Sequence, residues 1–422
     1  MQRRTFVLSS LGAALLSACG GKDAGPKNRY RQTLLLANKA SYKARFTEPE
    51  FVNGWGIAIR PAGAGGHFWV AGGGVSWEYL GDVTRSANAG LHSLIQDDLK
   101  KVKVEGADSQ SGETSLGKVT GVAFNGAPLT SPLFRVSTQT AGNTRFDGSA
   151  RFIFVTDSGR ITGWTDRASD GSIVRKDGPA ATLFDGSARG MAFFGCAVKT
   201  DTWDQLWVAD FGAQPKIRSF NAQWQEVATT GFANPFATGD GGSPRPGEPV
   251  PFNIQVVNDG SKDRVFVMYA ISQPDPKAPG QFHAAEEDAL DAAAEAASGN
   301  TPNRGKLVEY DLSGALVRVY DDGKRLNAPW GVAIAPANFG KLSGAVLVGN
   351  FGGAGRICAF NGATGHYLDD LRGPDDKAVG IAGLWGLQFG NGESLGDANA
   401  LYFAAGPEDE TDGLFGSLRH VG

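Results

Sequence analysis

Leu206-Trp207-Val208-Ala209-Asp210, followed after a short turn by Lys216-Ile217-Arg218-Ser219-Phe220-Asn221, is the stretch on which the reading turns. The first run is apolar and ends on an acid, and the second alternates in character; both are strand patterns. A glycine-apolar phrase, Arg189-Gly190-Met191-Ala192-Phe193, stands before them. The same ordered trio recurs through the chain. The glycine phrase returns as Gly54-Trp55-Gly56-Ile57-Ala58, Thr120-Gly121-Val122-Ala123-Phe124, Phe252-Asn253-Ile254-Gln255-Val256, Trp330-Gly331-Val332-Ala333-Ile334 and Trp385-Gly386-Leu387-Gln388-Phe389. The aromatic-apolar run returns as Phe68-Trp69-Val70-Ala71, Ile153-Phe154-Val155-Thr156-Asp157, Val265-Phe266-Val267-Met268, Leu347-Val348-Gly349-Asn350 and Leu401-Tyr402-Phe403-Ala404. Looser copies of the third phrase lie at residues 159–166, 306–311, 356–361 and 414–418, with the poorest at 75–80.

Six copies of several short strands, separated by Gly, Asn, Asp and Pro turns, predict an all-β chain. A radial array of four-stranded sheets, a six-bladed β-propeller over residues 30–422, accommodates such a repeat. A sandwich would not repeat one ordered trio, and a β-helix needs a shorter, stricter period. The strand-like Tyr30-Arg31-Gln32-Thr33-Leu34-Leu35-Leu36 precedes the first repeat and should complete the sixth blade, leaving no free sheet edge. Deleting Tyr30–Ala37 should then abolish cooperative unfolding. Glycine in the first phrase answers crowding of the innermost strands around the axis. Trp55, Trp330 and Trp385 offer flat area for packing between blades. Asp157, Asp210 and Asn350 end second strands, where an Asx side chain bonds the amides of the following turn. One insertion breaks the pattern. Residues 282–297 are rich in Ala and Glu and flanked by prolines, which predicts a short helical insertion in blade 4. A second polar loop runs over residues 86–118.

The N-terminus reads as a targeting segment, residues 1–18. Arg3-Arg4 is a twin-arginine pair, an apolar stretch follows, and Leu16-Ser17-Ala18-Cys19 has the form of a lipobox. Cleavage there would leave Cys19 lipidated, with residues 19–29 as a tether; several acyl chains on one residue suffice for stable anchoring. Gly20 after the cysteine favours an outer-membrane destination in a two-membrane cell. Net charge is −4 with no long basic run, which argues against a nucleic-acid surface. Cys196 and Cys358 fall in different, non-adjacent repeats and read as small core residues rather than a disulfide.

No nucleophile elbow, phosphate loop, haem-attachment motif or zincin helix occurs. The five histidines lack metal-ligand spacing and read as loop residues. The densest acidic segment, Glu408-Asp409-Glu410-Thr411-Asp412, offers hard oxygen ligands of the kind that bind Ca²⁺, the plain alternative being a solvated turn. Asn53, Asn253 and Asn327 stand in or just before the first phrase, where they are candidates for a polar ring at a channel mouth. Satisfying backbone groups at the strand starts is the other role open to them.

With these segments assembled, the chain resembles a family of conserved secreted bacterial proteins of unknown function with a predicted six-bladed propeller. The resemblance is carried by Asn53-Gly54-Trp55-Gly56-Ile57-Ala58, Pro251-Phe252-Asn253-Ile254-Gln255, Ala335-Pro336-Ala337-Asn338-Phe339-Gly340, Leu347-Val348-Gly349-Asn350-Phe351-Gly352 and Ala405-Gly406-Pro407-Glu408-Asp409-Glu410. Leu206-Trp207-Val208-Ala209-Asp210 with Lys216-Ile217-Arg218-Ser219-Phe220 also looks like an NHL repeat. Six-bladed folds of that kind include gluconolactonase-like enzymes, which hold a divalent cation on the axis; none of their active-site motifs matches here. The expectation is a monomeric, lipid-anchored envelope propeller that binds a protein or glycan partner without catalysis. The alternative is a metal-dependent hydrolase or lactonase with a divalent cation at the channel mouth. A third, a redox propeller with an organic cofactor, draws only on the twin-arginine leader.

Overall fold

The computed structural model describes residues 26–104, 117–140, 142–175, 178, 180–276, 278–285 and 304–422. Six antiparallel sheets stand around one axis. Their inner strands are Gly54–Ala58, Val119–Phe124, Phe193–Val198, Pro249–Asn258, Pro329–Ile334 and Leu384–Phe389, and these touch in ring order, the sixth returning to the first. Outside them the second strands are Phe68–Gly72, Phe152–Thr156, Gln205–Asp210, Asp263–Pro274, Val346–Asn350 and Ala400–Ala405. The third are Val75–Tyr79, Arg160–Trp164, Lys216–Asn221, Gly305–Tyr310, Ile357–Phe360 and Leu414–His420. The chain is an all-β, six-bladed β-propeller.

Tyr30–Ala37 pairs antiparallel with Leu414–His420, from Tyr30 opposite His420 to Ala37 opposite Leu414, and is the fourth strand of blade 6. The two ends of the chain are thus hydrogen-bonded into one sheet, which closes the ring. Phe46–Thr47 adds a short parallel strand outside it.

Three sequence expectations are corrected. In blade 3 the inner strand starts at Phe193, so the crowded glycine is Gly195; Gly190 sits in the preceding loop at φ +66°. The loop after the third strand of blade 1 contains that blade's outer strand, Lys101–Lys103. The insertion in blade 4 begins as a strand, not a helix: Phe282–Ala284 pairs with Ser272, Gln273 and Pro274 at the extended end of the second strand. Its remainder from residue 286 lies outside the described residues.

The glycine of the first phrase has a sharper reason than crowding at the axis. A Cβ on Gly56 would stand 3.1 Å from the Val122 nitrogen of the next inner strand, and one on Gly121 would stand 3.0 Å from Gly195 Cα. On Gly386 it would meet the Trp55 carbonyl at 2.6 Å, and on Gly331 it would strike the Trp385 carbonyl. Each blade's glycine therefore lets the neighbouring backbone approach. Blade 4 alone breaks the rule with Asn253, and Gly195 yields the space its carboxamide occupies.

Candidate functional site: the axis and its rim

The residues just before these glycines turn inward and fill the axis. Trp55 stacks on Trp385 at 3.9 Å, and Phe351 stacks on the same ring at 3.7 Å. Trp330 meets Trp385 edge-on at 6.0 Å; Phe252 is 5.8 Å from it; Phe194 packs on Trp55 at 5.6 Å. The Phe252–Trp385 and Phe194–Trp55 contacts join blades that are not neighbours, so the rings span the centre. The Trp330 indole N–H also crosses to the Phe194 carbonyl at 2.8 Å. Each aromatic pair contributes about 0.5–1.5 kcal/mol beyond area burial. The end of the channel where inner strands begin is sealed by an apolar plug.

At the opposite end lies an axial cavity of 190 Å³, lined by Gly56, Gly121, Asn253, Gln255 and Gln388 among others. Small-molecule sites run roughly 300–1,000 Å³.

The three asparagines predicted for a channel mouth are all buried, and of the three Asn253 lines the axial cavity. Asn253 donates through Nδ2 to the Trp330 carbonyl at 2.8 Å, and its Oδ1 accepts from the Ile254 N–H at 2.8 Å, so it ties blade 4 to blade 5. Asn53 sits at φ +46°, and its Oδ1 accepts the Trp385 indole N–H at 2.8 Å. Asn327 donates its backbone N–H to Asn350 Oδ1 at 3.0 Å, while its carboxamide is enclosed with no protein partner.

The acids that end the second strands pin the loops leading into the inner strands. Asp157 Oδ1 accepts from the amides of Gly117 and Lys118 at 2.6 and 2.8 Å. Burial pushes its pKa up to about 6, with Lys118 opposing and Glu410 adding. Asp210 accepts from the amides of Ala192 and Gly212 and from Arg218 Nε at 2.7 Å. Only Gly212 belongs to the following turn; the other backbone bonds reach back, which corrects the expectation.

The acidic turn is not a cage. Glu408, Asp409 and Glu410 occupy three successive left-handed conformations, at φ +56°, +52° and +61°. Such residues cost of order 1–3 kcal/mol each, and surrounding contacts must hold them. Glu410 turns inward to Lys118 Nζ at 3.0 Å, a buried pair that joins blade 6 to blade 2 across blade 1. Asp412 takes Lys39 Nζ at 2.6 Å, the Tyr42 hydroxyl at 2.6 Å and Asn38 Nδ2 at 3.1 Å. Despite its burial, these three partners hold its pKa below the usual carboxylate range. Glu408 and Asp409 face solvent. Among the described residues no group of three or more His, Cys, Asp or Glu side chains is placed to hold a metal ion.

Cys196 and Cys358 are free and buried, and burial pushes both thiols up. Cys19 lies outside the described residues. His67 departs from its expected loop role: it is buried, its ring nitrogen 2.9 Å from Asp97.

No family model matches the chain. An uncharacterised protein of Acanthamoeba polyphaga mimivirus is 28% identical over 417 residues, covering 96% of this chain and 85% of that one. A second uncharacterised protein of that virus is 31% identical over 213 residues, 50% of this chain; the match spans about half of the viral protein, 48%. Among solved structures, the Dos1 propeller covers 89% of this chain and 69% of its own at 12% identity, with a TM-score of 0.38. The WD40 β-propeller domain of Doa1 covers 86% and 93% at 8% identity, with a TM-score of 0.37.

Proposed function

We propose that this propeller is a lipid-anchored module of a bacterial envelope that binds a partner protein or glycan across a face and performs no catalysis. The aromatic plug in the axis carries this reading. Where a catalytic propeller would gather oxygen ligands, the described residues gather indole and phenyl rings, and the acids nearby are committed to Lys118, Lys39 and backbone amides. Recognition then falls to the surface and its loops. The leader supports the anchor: a tether of residues 19–29 would join Cys19 directly to the strand that closes blade 6, so pull on the anchor would load a hydrogen-bonded ladder.

The test begins with full-length protein expressed with labelled palmitate. Label and membrane association that vanish in Cys19→Ser are expected; unlabelled wild-type protein, or an unchanged distribution, sinks the anchor. Elemental analysis and melting in chelator address the second half. A metal-free protein indifferent to chelator is expected, whereas one bound divalent ion per chain with loss of stability in chelator would return the lactonase alternative.

A further inference from the structure

At the end opposite the aromatic plug, blades 1 and 2 meet in a crevice that gathers three arginines around one buried carboxylate. Arg60 follows the inner strand of blade 1, Arg151 precedes the second strand of blade 2, and Asp166 and Arg175 follow its third. Arg60 Nη2 and Arg175 Nε lie 3.6 and 3.8 Å from the same oxygen, Asp166 Oδ2. Both separations exceed hydrogen-bond length. The Asp166 side chain is only 3% exposed, yet its Oδ1 has no partner, and the buried Nε atoms of Arg60 and Arg151 have none either. Arg60 lies over the Phe152 ring, 5.9 Å from its centroid. Burial lowers the Arg60 pKa; Asp166 opposes the fall, while the guanidiniums of Arg151 and Arg175 add to it.

Two guanidiniums thus pair with one carboxylate at ion-pair distance without a hydrogen bond, and Arg151 adds its charge nearby while its Nη1 donates to the Ala127 carbonyl at 3.2 Å. His67 nearby carries no negative charge to offset them, and its ring nitrogen lies 2.9 Å from Asp97. On the solvent side Arg175, 53% exposed, also lines a groove of 370 Å³ with Asp97, Asp98, Leu99 and Ile173, while Arg60 is only 12% exposed.

We propose that this crevice binds a small oxyanion, phosphate or carboxylate, held by Arg60, Arg151 and Arg175. Guanidinium is the side chain whose planar fork matches such anions, and its bonds to them form at about 2.7–2.9 Å. An oxyanion seated among the three would accept from the N–H groups that Asp166 leaves unbonded. Asp97 and Asp98 in that groove disfavour an extended polyanion and leave a small ion as the better fit. The site is independent of which face meets a partner.

The experiment is thermal unfolding and titration calorimetry of the full-length protein in phosphate, acetate or chloride at equal ionic strength. Millimolar phosphate or acetate should raise the midpoint by several degrees over chloride, and Arg175→Gln should remove the rise. Asp166→Asn supplies a readout that a structural role would not move. Deleting the competing carboxylate should tighten anion binding by about tenfold, the size of a one-unit electrostatic shift. A response to phosphate alone, or to acetate alone, supports the site and identifies the geometry it takes. Equal midpoints in all three salts, for wild type and for Asp166→Asn, would overturn it.

Discussion

In blade 4, Glu309 stands opposite Phe266 on the face that packs toward blade 5; in blade 1, Glu78 stands opposite Trp69 on the face that packs toward blade 2. Both are followed by tyrosine, and both are buried. The residue two positions before the opposing aromatic differs. Blade 4 has Arg264, whose Nε and Nη2 take the two Glu309 oxygens at 2.8 and 2.7 Å, with the Tyr320 hydroxyl closing the network. Blade 1 has His67 at that register, and it turns to Asp97. Neither Glu78 oxygen reaches a hydrogen-bond partner. Burial raises its pKa well above the usual range and Asp97 adds to the rise, against a pull from the nearby Ser76 hydroxyl and Val102 amide. One position thus holds an ion pair in one blade and a buried acid without a cation in another. The choice rests on a residue 11 positions upstream of Glu78, at 67, and 45 upstream of Glu309, at 264.

The largest effect should come from breaking the blade 4 network. Arg264→Ala removes both hydrogen bonds of its guanidinium to buried Glu309, leaving only the Arg318 cation at 3.9 Å, and should cost up to roughly 3–5 kcal/mol in urea unfolding at neutral pH. Adding Glu309→Gln should recover much of that loss, because the stranded charge is gone. If the double variant is no better than the single, packing rather than charge governs this interface.

Blade 1 should respond in the other direction. Below about pH 4.5, the ordinary value, Glu78 is protonated folded and unfolded, and its stability contribution is fully present. Above that, the unfolded chain ionises while the folded chain holds its proton. Stability then falls by up to about 1.4 kcal/mol per pH unit until the folded pKa is reached. Glu78→Gln should match wild type at pH 4 and exceed it by a margin that widens as the pH rises toward 7. Asp157 produces a slope of the same sign between 3.8 and about 6. The decisive quantity is therefore the difference between variant and wild-type curves, and parallel curves would refute the proton.

These two blades also show what could be read in advance. The ordered phrases, the strand at Tyr30–Ala37 and the glycines that admit a neighbouring backbone were legible, because each is a local pattern with one structural cause. Asn253 was legible as a departure from glycine, but its bond to the Trp330 carbonyl depends on the next blade. The acids at 408–412 were visible as a cluster, yet three left-handed residues send Glu410 and Asp412 to different lysines. The arginine crevice left no signal, since Arg60, Arg151 and Arg175 lie far apart in the chain and only the packing of blades 1 and 2 gathers them. Pairing of Glu309 and isolation of Glu78 were hidden for the same reason: the dipeptides are alike.

The smallest test uses the tyrosines, and it isolates hydroxyl bonding from packing. Tyr320 Oη accepts from Arg264 Nη2 at 2.9 Å and donates to Glu309 Oε2 at 3.1 Å. Its ring packs edge-on against Phe360 at 5.7 Å, a contact that phenylalanine keeps. Tyr320→Phe should therefore cost about 1 kcal/mol, the net value of a buried hydrogen bond, or somewhat more because both partners are charged. Tyr79, in blade 1, is as deeply buried, and its hydroxyl has no partner. Tyr79→Phe removes an unsatisfied polar atom and should be neutral or mildly stabilising. Equilibrium unfolding of the two variants side by side measures the contrast. Equal losses would mean that Tyr79 is bonded in solution and that blade 1 is better satisfied than its geometry indicates.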